Sequence, residues 1–164
     1  ELLQACQILW GQSKNIELLI AGEIDDGNRS TLNNEELSAL KSEKRIHCLG
    51  HVQDMRTQYE NSDLVVLPSW REGLSRSLIE AASMERPIIT TDVPGCRDVI
   101  DHGKSGILVP LKDAKSIALA IDLLMGNPDL ARSFGKSARK KVVEEFQVSF
   151  VNETTIQQYK SMHV

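Results

Sequence analysis

The stretch that decides the fold covers residues 63–80 and reads D-L-V-V-L-P-S-W-R-E-G-L-S-R-S-L-I-E. Residues 64–67 are an unbroken apolar run, which predicts a strand that is covered on both faces. Pro68 ends this strand, because proline cannot donate a hydrogen bond to a sheet ladder. A glycine-bearing turn and an amphipathic helical pattern follow. The stretch therefore predicts a buried strand, a short turn and the first turns of a helix.

The predicted turn is suited to an anionic ligand that also carries hydroxyl groups. Backbone N–H groups at the start of a helix point into the crevice and favour an anion. Glu72 lies before the helix and Glu80 lies within it, with seven residues between them. Carboxylates do not bind phosphate, but they accept hydrogen bonds from hydroxyl groups. The pattern therefore favours a sugar diphosphate as the ligand.

Structural explanations for both glutamates stay open on the local pattern alone. Residues 77–80, S-L-I-E, also fit a capping box, in which Glu80 would only reach back to a backbone N–H group. Glu72 could equally be an ordinary solvated carboxylate of a loop. The decision between these explanations and a binding site needs the rest of the chain.

The composition is that of one soluble globular domain. The chain has 164 residues, of which 41% are hydrophobic and 26% are charged. Its net charge is −4, and no stripe of basic residues dominates, which argues against a nucleic-acid groove. No apolar run approaches the roughly twenty residues of a membrane span. The composition predicts a cytoplasmic protein.

The cysteine and histidine residues predict neither disulfides nor a metal site. Cys6, Cys48 and Cys96 are odd in number and far apart, which fits reduced thiols. His47 and His51 are four residues apart, but they flank the end of a strand and so do not share a helix face.

Short apolar strands alternate with helical patterns along the whole chain. This alternation predicts a doubly wound, Rossmann-like α/β fold with a parallel sheet and helices on both faces. Asp113 and Pro128 are expected to begin two long helices. A polar loop at 23–30 and a helix capped by Asn33 or Asn34 are also expected. The predicted strands are 16–22, 45–49, 64–67, 87–91 and 107–109.

The ligand crevice is predicted where strands end at Gly22, Gly50 and Pro68, because open α/β sheets bind ligands at the carboxyl ends of their strands. A helical stripe begins at Leu2 without a cap, although such a helix normally follows a strand. We therefore expect residues 1–164 to be a single domain of a longer protein. The first strand of this domain would precede residue 1.

Four motifs occur in a characteristic order and spacing. They are G-H-V-Q-D at 50–54, the run at 63–82, R-P-I-I-T-T-D-V-P-G-C-R-D-V-I at 86–100 and G-K-S-G-I-L-V-P at 103–110. Together they resemble the second, C-terminal domain of family-4 glycosyltransferases. These are retaining enzymes of the GT-B architecture, in which two Rossmann-like domains flank a cleft. The stretches at 22–28 and 91–98 look most like the members that assemble polysaccharides on undecaprenyl diphosphate.

The resemblance implies a role for each matching position. The two carboxylates would each face one sugar of the donor: Glu72 the hexose hydroxyls, as the catalytic residue that positions them, and Glu80 the ribose hydroxyls. Backbone groups of the turn would hold the diphosphate and the donor sugar, and a segment after the second strand would lie against the base. These two sets are Gly73, Leu74 and Ser75 for the turn, and Gly50, His51 and Val52 for the base.

The implied function is the donor-binding domain of a glycosyltransferase. The intact enzyme would transfer a hexose or an N-acetylhexosamine from a nucleoside-diphosphate sugar, a UDP-sugar, to a lipid-linked or growing polysaccharide acceptor. No cofactor is implied, and because no D-x-D pair occurs, no metal-bridged diphosphate is implied either. The acceptor would bind a missing N-terminal domain, and the full enzyme would associate peripherally with the inner face of the membrane.

Two properties of the family fall outside this sequence. The basic pair that grips the diphosphate and the acceptor-binding domain would both precede residue 1, so we expect residues 1–164 alone to be inactive. Two other functions remain as alternatives. One is a nucleotide-sugar epimerase of similar architecture, for which the sequence offers no clear acid/base set. The other is a non-catalytic α/β binding module.

Overall fold

The computed structural model describes residues 1–22, 38 and 40–162. The loop predicted at 23–30 and the helix start predicted at Asn33 or Asn34 lie outside these residues. Strands and helices alternate along the described chain. The strands are β1 (Leu18–Ala21), β2 (Ile46–Gly50), β3 (Val65–Leu67), β4 (Ile88–Thr91) and β5 (Ile107–Val109). The helices are α1 (Leu2–Gly11), α2 (Arg56–Glu60), α3 (Arg76–Ser83), α4 (Pro94–Arg97), α5 (Ala114–Met125), α6 (Pro128–Glu145) and α7 (Val148–Ser161).

The strands form two parallel sheets. In the first sheet β1 pairs with β2, and Leu18 lies opposite Ile46. The second sheet has the order β3-β4-β5, and Ile89 of β4 lies between Val66 and Ile107. Parallel neighbours need a crossover connection, which α3 provides between β3 and β4 and α4 provides between β4 and β5. The predicted parallel α/β fold is confirmed.

Helices cover both faces of the second sheet. Successive side chains of a strand point to opposite faces, so β4 contributes to two core layers. Ile89 packs with residues of α1 and α5, whereas Ile88 packs with residues of α3 and α4. Helix α6 reaches both layers, with Phe134 in the first and Ala138 and Val142 in the second. This arrangement confirms the doubly wound architecture.

The central strand of the second sheet is β4 rather than β3. The prediction that residues 64–67 are covered on both faces is wrong, because the residues of β3 are only half-buried. Among the described strands, β3 pairs on one side only, with β4. All four residues of β4 are buried. A run of apolar residues identifies a strand, but the number of its neighbours decides how deeply it is buried.

The two long helices begin where the sequence predicts. Asp113 caps α5, since its Oδ1 accepts a hydrogen bond from the backbone N–H of Ser116 at 3.0 Å. The Ser116 hydroxyl also donates to Oδ2 at 2.6 Å, and these two bonds hold the pKa of Asp113 below its usual value. Pro128 occupies the first turn of α6, where a missing N–H group costs nothing.

Helix α7 is expected to be the least well anchored element. Every one of its residues is exposed, including Phe150 at 47%, Ile156 at 52% and Tyr159 at 64%. A helix without buried contacts opens locally at little cost in free energy. Hydrogen exchange followed by mass spectrometry should therefore show fast exchange of the α7 amides in a dilute monomer. Helix α5, which buries Ile117 and Ile121, is the control and should exchange slowly. Equally slow exchange in both helices would contradict this prediction.

Candidate functional site

The turn between β3 and α3 lies at the carboxyl end of its strand, as predicted. Helix α3 begins at Arg76, and Ser75 is its N-cap residue with an extended backbone. The Ser75 side chain is buried and makes no capping hydrogen bond with the described residues. Gly73 and Leu74 precede it and are exposed. The backbone of the turn is thus accessible at the N-terminus of a helix, where an anion is favoured.

Glu72 is held in a fixed position by a neighbouring serine. The Ser69 hydroxyl donates a hydrogen bond to Oε1 of Glu72 at 2.5 Å. The carbonyl oxygen of Ser69 in turn accepts a hydrogen bond from the hydroxyl of Thr91, which is buried at the end of β4. Glu72 itself is half-buried. The description of Glu72 as a freely solvated loop carboxylate is therefore wrong.

Helix α4 packs directly against the backbone of the Glu72 turn. A Cβ atom at Gly95 would overlap the carbonyl oxygen of Gly73 and would lie 2.7 Å from that of Glu72. Glycine is therefore the residue that this close approach requires. Next to it, burial raises the pKa of the Cys96 thiol, and the charge of Glu72 adds to the rise. The V-P-G stretch at 93–95 therefore packs against the backbone of the turn. The thiol of Cys96, which follows this stretch, stays neutral near the Glu72 carboxylate.

Glu80 lies on α3, facing α2. The hydroxyl of Tyr59 on α2 lies within hydrogen-bond distance of two acceptors on α3, the carbonyl oxygen of Ser77 at 3.3 Å and Oε2 of Glu80 at 3.4 Å. Burial of the phenol, together with the charge of Glu80, raises the pKa of Tyr59 to about 12. Arg76 lies 4.0 Å from Oε1, but its side chain is 90% exposed, so this ion pair contributes little. The Glu80 side chain is 47% exposed.

The capping-box explanation for Glu80 is wrong. Ser77 would have to be the N-cap residue, but Ser75 occupies that position and Ser77 lies inside α3. A capping box also needs the glutamate three residues after the N-cap, and that position is Leu78. Glu80 is therefore on the second turn of the helix, and its contact among the described residues is with Tyr59 and Arg76.

The segment predicted to contact the base follows β2. Gly50 ends this strand with a φ of +65°, a left-handed conformation that glycine adopts without strain. Its carbonyl oxygen accepts a hydrogen bond from the N–H of Gly22 at 2.9 Å, which joins the ends of β1 and β2. His51 is exposed and Val52 is half-buried. No hydrogen bond among the described residues joins this segment to the Glu72 turn, so a ligand would have to bridge them.

The sequence predicts no role at the site for four residues that support it. Only the position of Ser69, three residues before Glu72, gives a local indication that it contacts this glutamate. Thr91 and Gly95 reach the turn only through the register of β3 and β4, in which Leu67 lies opposite Thr90. Tyr59 depends on the packing of α2 against α3. The four residues are Tyr59, Ser69, Thr91 and Gly95.

The part of the chain that the structure describes holds neither a metal cluster nor a membrane-spanning helix. No group of three or more histidine, cysteine, aspartate or glutamate side chains there could hold a metal ion. No helix of the described residues has both the length and the apolar character needed to cross a membrane.

Comparison with known families gives the chain its class. A family model described as "Glycosyl transferases group 1" matches residues 1–141. The chain belongs to this family. The candidate site, from Gly50 to Gly95, lies wholly inside the matched region.

Two curated relatives show what share of a longer protein the chain matches. The chain is 30% identical over 161 residues to the capsular polysaccharide biosynthesis glycosyltransferase CapM of Staphylococcus aureus, covering 98% of this chain and 42% of CapM. It is 30% identical over 99 residues to the N,N'-diacetylbacillosaminyl-diphospho-undecaprenol alpha-1,3-N-acetylgalactosaminyltransferase of Campylobacter jejuni, covering 60% of this chain and 26% of that protein. The chain thus spans less than half the length of these relatives.

A solved structure shares the fold. The crystal structure of Anabaena Alr3699/HepE in complex with UDP and glucose aligns with a TM-score of 0.85 and 19% sequence identity. The alignment covers 98% of this chain and 44% of that one. The fold of the chain is therefore the Rossmann-like fold of GT-B glycosyltransferases.

Proposed function

We propose that this chain is the C-terminal, donor-binding domain of a retaining family-4 glycosyltransferase. The intact enzyme transfers a hexose or an N-acetylhexosamine from a UDP-sugar to a lipid-linked or growing polysaccharide acceptor. The observation that carries this proposal is the pair of carboxylates on one turn and helix. Glu72 is fixed by Ser69 at the turn, and Glu80 is half-exposed one to two helical turns further on.

Each part of the site receives one part of the donor. The N–H groups of Gly73, Leu74 and Ser75, together with the dipole of α3, stabilise the diphosphate and its charge as the bond to the sugar breaks. Glu72 accepts hydrogen bonds from the hexose hydroxyls and acts by positioning, so no protein nucleophile is assigned. Charge-assisted hydrogen bonds of this kind are the strong ones.

The nucleoside of the donor contacts the other two parts of the site, which are Glu80 and the segment that follows β2. Glu80 accepts hydrogen bonds from the ribose hydroxyls, and Gly50, His51 and Val52 lie against the base. The choice of uridine is supported by the similar fold of the Anabaena protein, whose structure contains UDP and glucose. No cofactor takes part in this proposal.

The acceptor class is supported by the names of the two relatives. One is a capsular polysaccharide biosynthesis glycosyltransferase, and the name of the other contains diphospho-undecaprenol. A lipid-linked acceptor would bring the full-length enzyme to the inner face of the cytoplasmic membrane as a peripheral protein. We place the acceptor on an N-terminal domain of the longer protein.

The two sheets support the proposal that a further strand completes this domain. Among the described strands, β1 pairs only with β2, and β3 pairs only with β4. Leu18 of β1 and Val66 of β3 nevertheless pack against the same core cluster. One more parallel strand between β1 and β3 would join the two sheets into one. We propose that the longer protein supplies this strand.

Titration with nucleotides followed by amide chemical shifts tests donor binding on the chain itself. UDP, UDP-glucose and UDP-N-acetylglucosamine should shift the amides of Gly50, Gly73, Leu74 and Ser75 and should leave those of α7 in place. GDP and ADP are the matched controls for the base. A chain whose amides respond to none of these nucleotides would be a non-catalytic binding module, and the proposal would be lost.

Residues 1–164 alone are expected to transfer no sugar. Half of the proposed cleft, with the basic ligands of the diphosphate, lies in the longer protein. The measurement is release of UDP from a UDP-sugar in the presence of a lipid-linked saccharide, with the full-length protein as the positive control. Turnover by residues 1–164 alone would show that the active site is misplaced in this proposal.

A further inference from the structure

The turn that carries Glu72 has little support of its own. The hydrogen bond from Ser69 is the only one that the Glu72 carboxylate makes with the described residues. The backbone ladder between β3 and β4 ends at the pair of Leu67 and Thr90. Pro68 follows, and it has no N–H group with which to extend the ladder. The position of the carboxylate therefore depends on contacts from outside the turn.

The hydroxyl of Thr91 makes the next connection between β4 and the turn. It donates to the carbonyl oxygen of Ser69, whose own hydroxyl donates to Oε1 of Glu72. Thr91 is 2% exposed, and its backbone is paired with Val109 of β5 on the other side. The hydroxyl thus joins an exposed turn to a buried strand that has a neighbour on each side.

Two acceptors lie beside the single hydroxyl proton of Thr91. They are the carbonyl oxygen of Ser69 and the sulfur of Cys96. Burial raises the pKa of the Cys96 thiol, so the sulfur is neutral. A neutral thiol is a weak acceptor, whereas a backbone carbonyl is a strong one. The proton of Thr91 therefore goes to Ser69, and the connection to Glu72 is kept.

We propose that Thr91 is a positioning residue for sugar transfer, because it fixes the Glu72 carboxylate through Ser69. This inference rests on the proposed function, in which Glu72 positions the donor hexose. Ser69 binds Oε1 of Glu72, whereas Oε2 makes no hydrogen bond with the described residues and is available to a hexose hydroxyl. A displaced Oε2 displaces the anomeric carbon, and such an error lowers the rate of the chemical step more than the affinity for the nucleotide.

Thr91→Val in the full-length protein tests the inference. Valine keeps the branched shape of threonine but has no hydroxyl. The variant should lower kcat by about 2- to 10-fold, the rate equivalent of one neutral hydrogen bond. The KM for the UDP-sugar should stay within about twofold, because the nucleoside contacts are unchanged. Thr91→Ser keeps the hydroxyl and should restore most of the wild-type kcat. A Thr91→Val enzyme with wild-type kcat would overturn the inference.

Thr90→Val is the matched control on the same strand. Thr90 is fully buried, and its hydroxyl donates to the carbonyl oxygen of Leu67 at 2.8 Å. It also lies 3.1 Å from the sulfur of Cys96, so this variant removes at least as many contacts as Thr91→Val. Both variants should lower the melting temperature, but only Thr91→Val should lower kcat. An equal fall in kcat for both would assign the effect to a loosened sheet and would contradict the positioning role.

A double-mutant cycle tests whether Thr91 acts through Ser69. In a Ser69→Ala background the connection to Glu72 is already broken, so Thr91→Val should lower kcat little further. Fully additive effects would show that Thr91 acts by another route. If Thr91→Val does not fold, Thr91→Cys takes its place, because a thiol is a weaker donor than a hydroxyl. Its kcat should lie below that of Thr91→Ser, and an equal kcat would count against the inference.

Glu72→Gln in the same assay separates this inference from the proposed function. A fall in kcat for Glu72→Gln without one for Thr91→Val overturns the role of Thr91 alone. A Glu72→Gln enzyme with wild-type kcat removes the proposed role of Glu72, and the role of Thr91 with it.

Discussion

Glu72→Gln is expected to lower the turnover number of the intact enzyme by roughly tenfold to a thousandfold. The side chain keeps its shape, and the Ser69 hydroxyl can donate to the amide oxygen as it now donates to Oε1. What disappears is the charge that accepts the hexose hydroxyls and holds the anomeric carbon in place. Because Glu72 precedes α3, the melting temperature should stay close to the wild-type value. The measurements are the steady-state kcat of the full-length protein and the thermal unfolding of both variants.

The control for Glu72 removes a carboxylate elsewhere. Glu145 is exposed at the end of α6, so Glu145→Gln should change neither kcat nor the melting temperature. Ser69→Ala frees the Glu72 carboxylate without changing its charge, and it should lower kcat less than Glu72→Gln does. A Glu72→Gln enzyme with wild-type kcat would remove the proposed role of this residue. A large fall in the melting temperature would show instead that Glu72 supports the fold.

The sequence predicts those parts of the fold that depend on neighbours along the chain. β5 has the bounds that were predicted, and Asp113 begins α5 as expected. The apolar run at 64–67 correctly predicts a strand, but the prediction that both of its faces are covered is wrong. Pairing partners are distant in sequence, and β3 has one described partner where a central strand has two. The burial of a strand is thus a property of the sheet rather than of its own residues.

The candidate site likewise has some features that follow from the local sequence and others that depend on residues distant in the chain. The turn that carries Glu72 and the helix that carries Glu80 follow from local pattern and lie where they were predicted. Two serines, Ser75 and Ser77, could each have capped α3, and only the structure decides between them. Tyr59, which donates to Glu80, comes from another helix, and Thr91, which donates to the Ser69 carbonyl beneath Glu72, comes from the neighbouring strand. Such contacts depend on strand order and register, which a single sequence does not contain.

Glu80→Gln is expected to weaken binding of UDP. A hydrogen bond to a charged group contributes about 1.5 to 3 kcal/mol, which corresponds to a rise in Kd of about 10- to 150-fold. The ribose contacts are the same in the bound donor and in the transition state, so kcat at a saturating donor concentration should change little. Glu80→Gln thus raises KM, whereas Glu72→Gln lowers kcat. Isothermal titration calorimetry with UDP measures the first effect, both on residues 1–164 and on the full-length protein.

Tyr59→Phe tests whether Glu80 serves the ligand or the fold. This variant removes the hydroxyl that donates to Oε2 and leaves the buried ring in place. If Glu80 binds ribose, it should weaken UDP binding less than Glu80→Gln does, because the carboxylate keeps its charge and loses only one orienting contact. If the carboxylate is present only to accept the Tyr59 hydroxyl, both variants should lower the melting temperature and leave the Kd for UDP unchanged, and Tyr59→Phe should lower it more because it also loses the bond to the Ser77 carbonyl. That second outcome would assign Glu80 a structural role and remove it from the donor site.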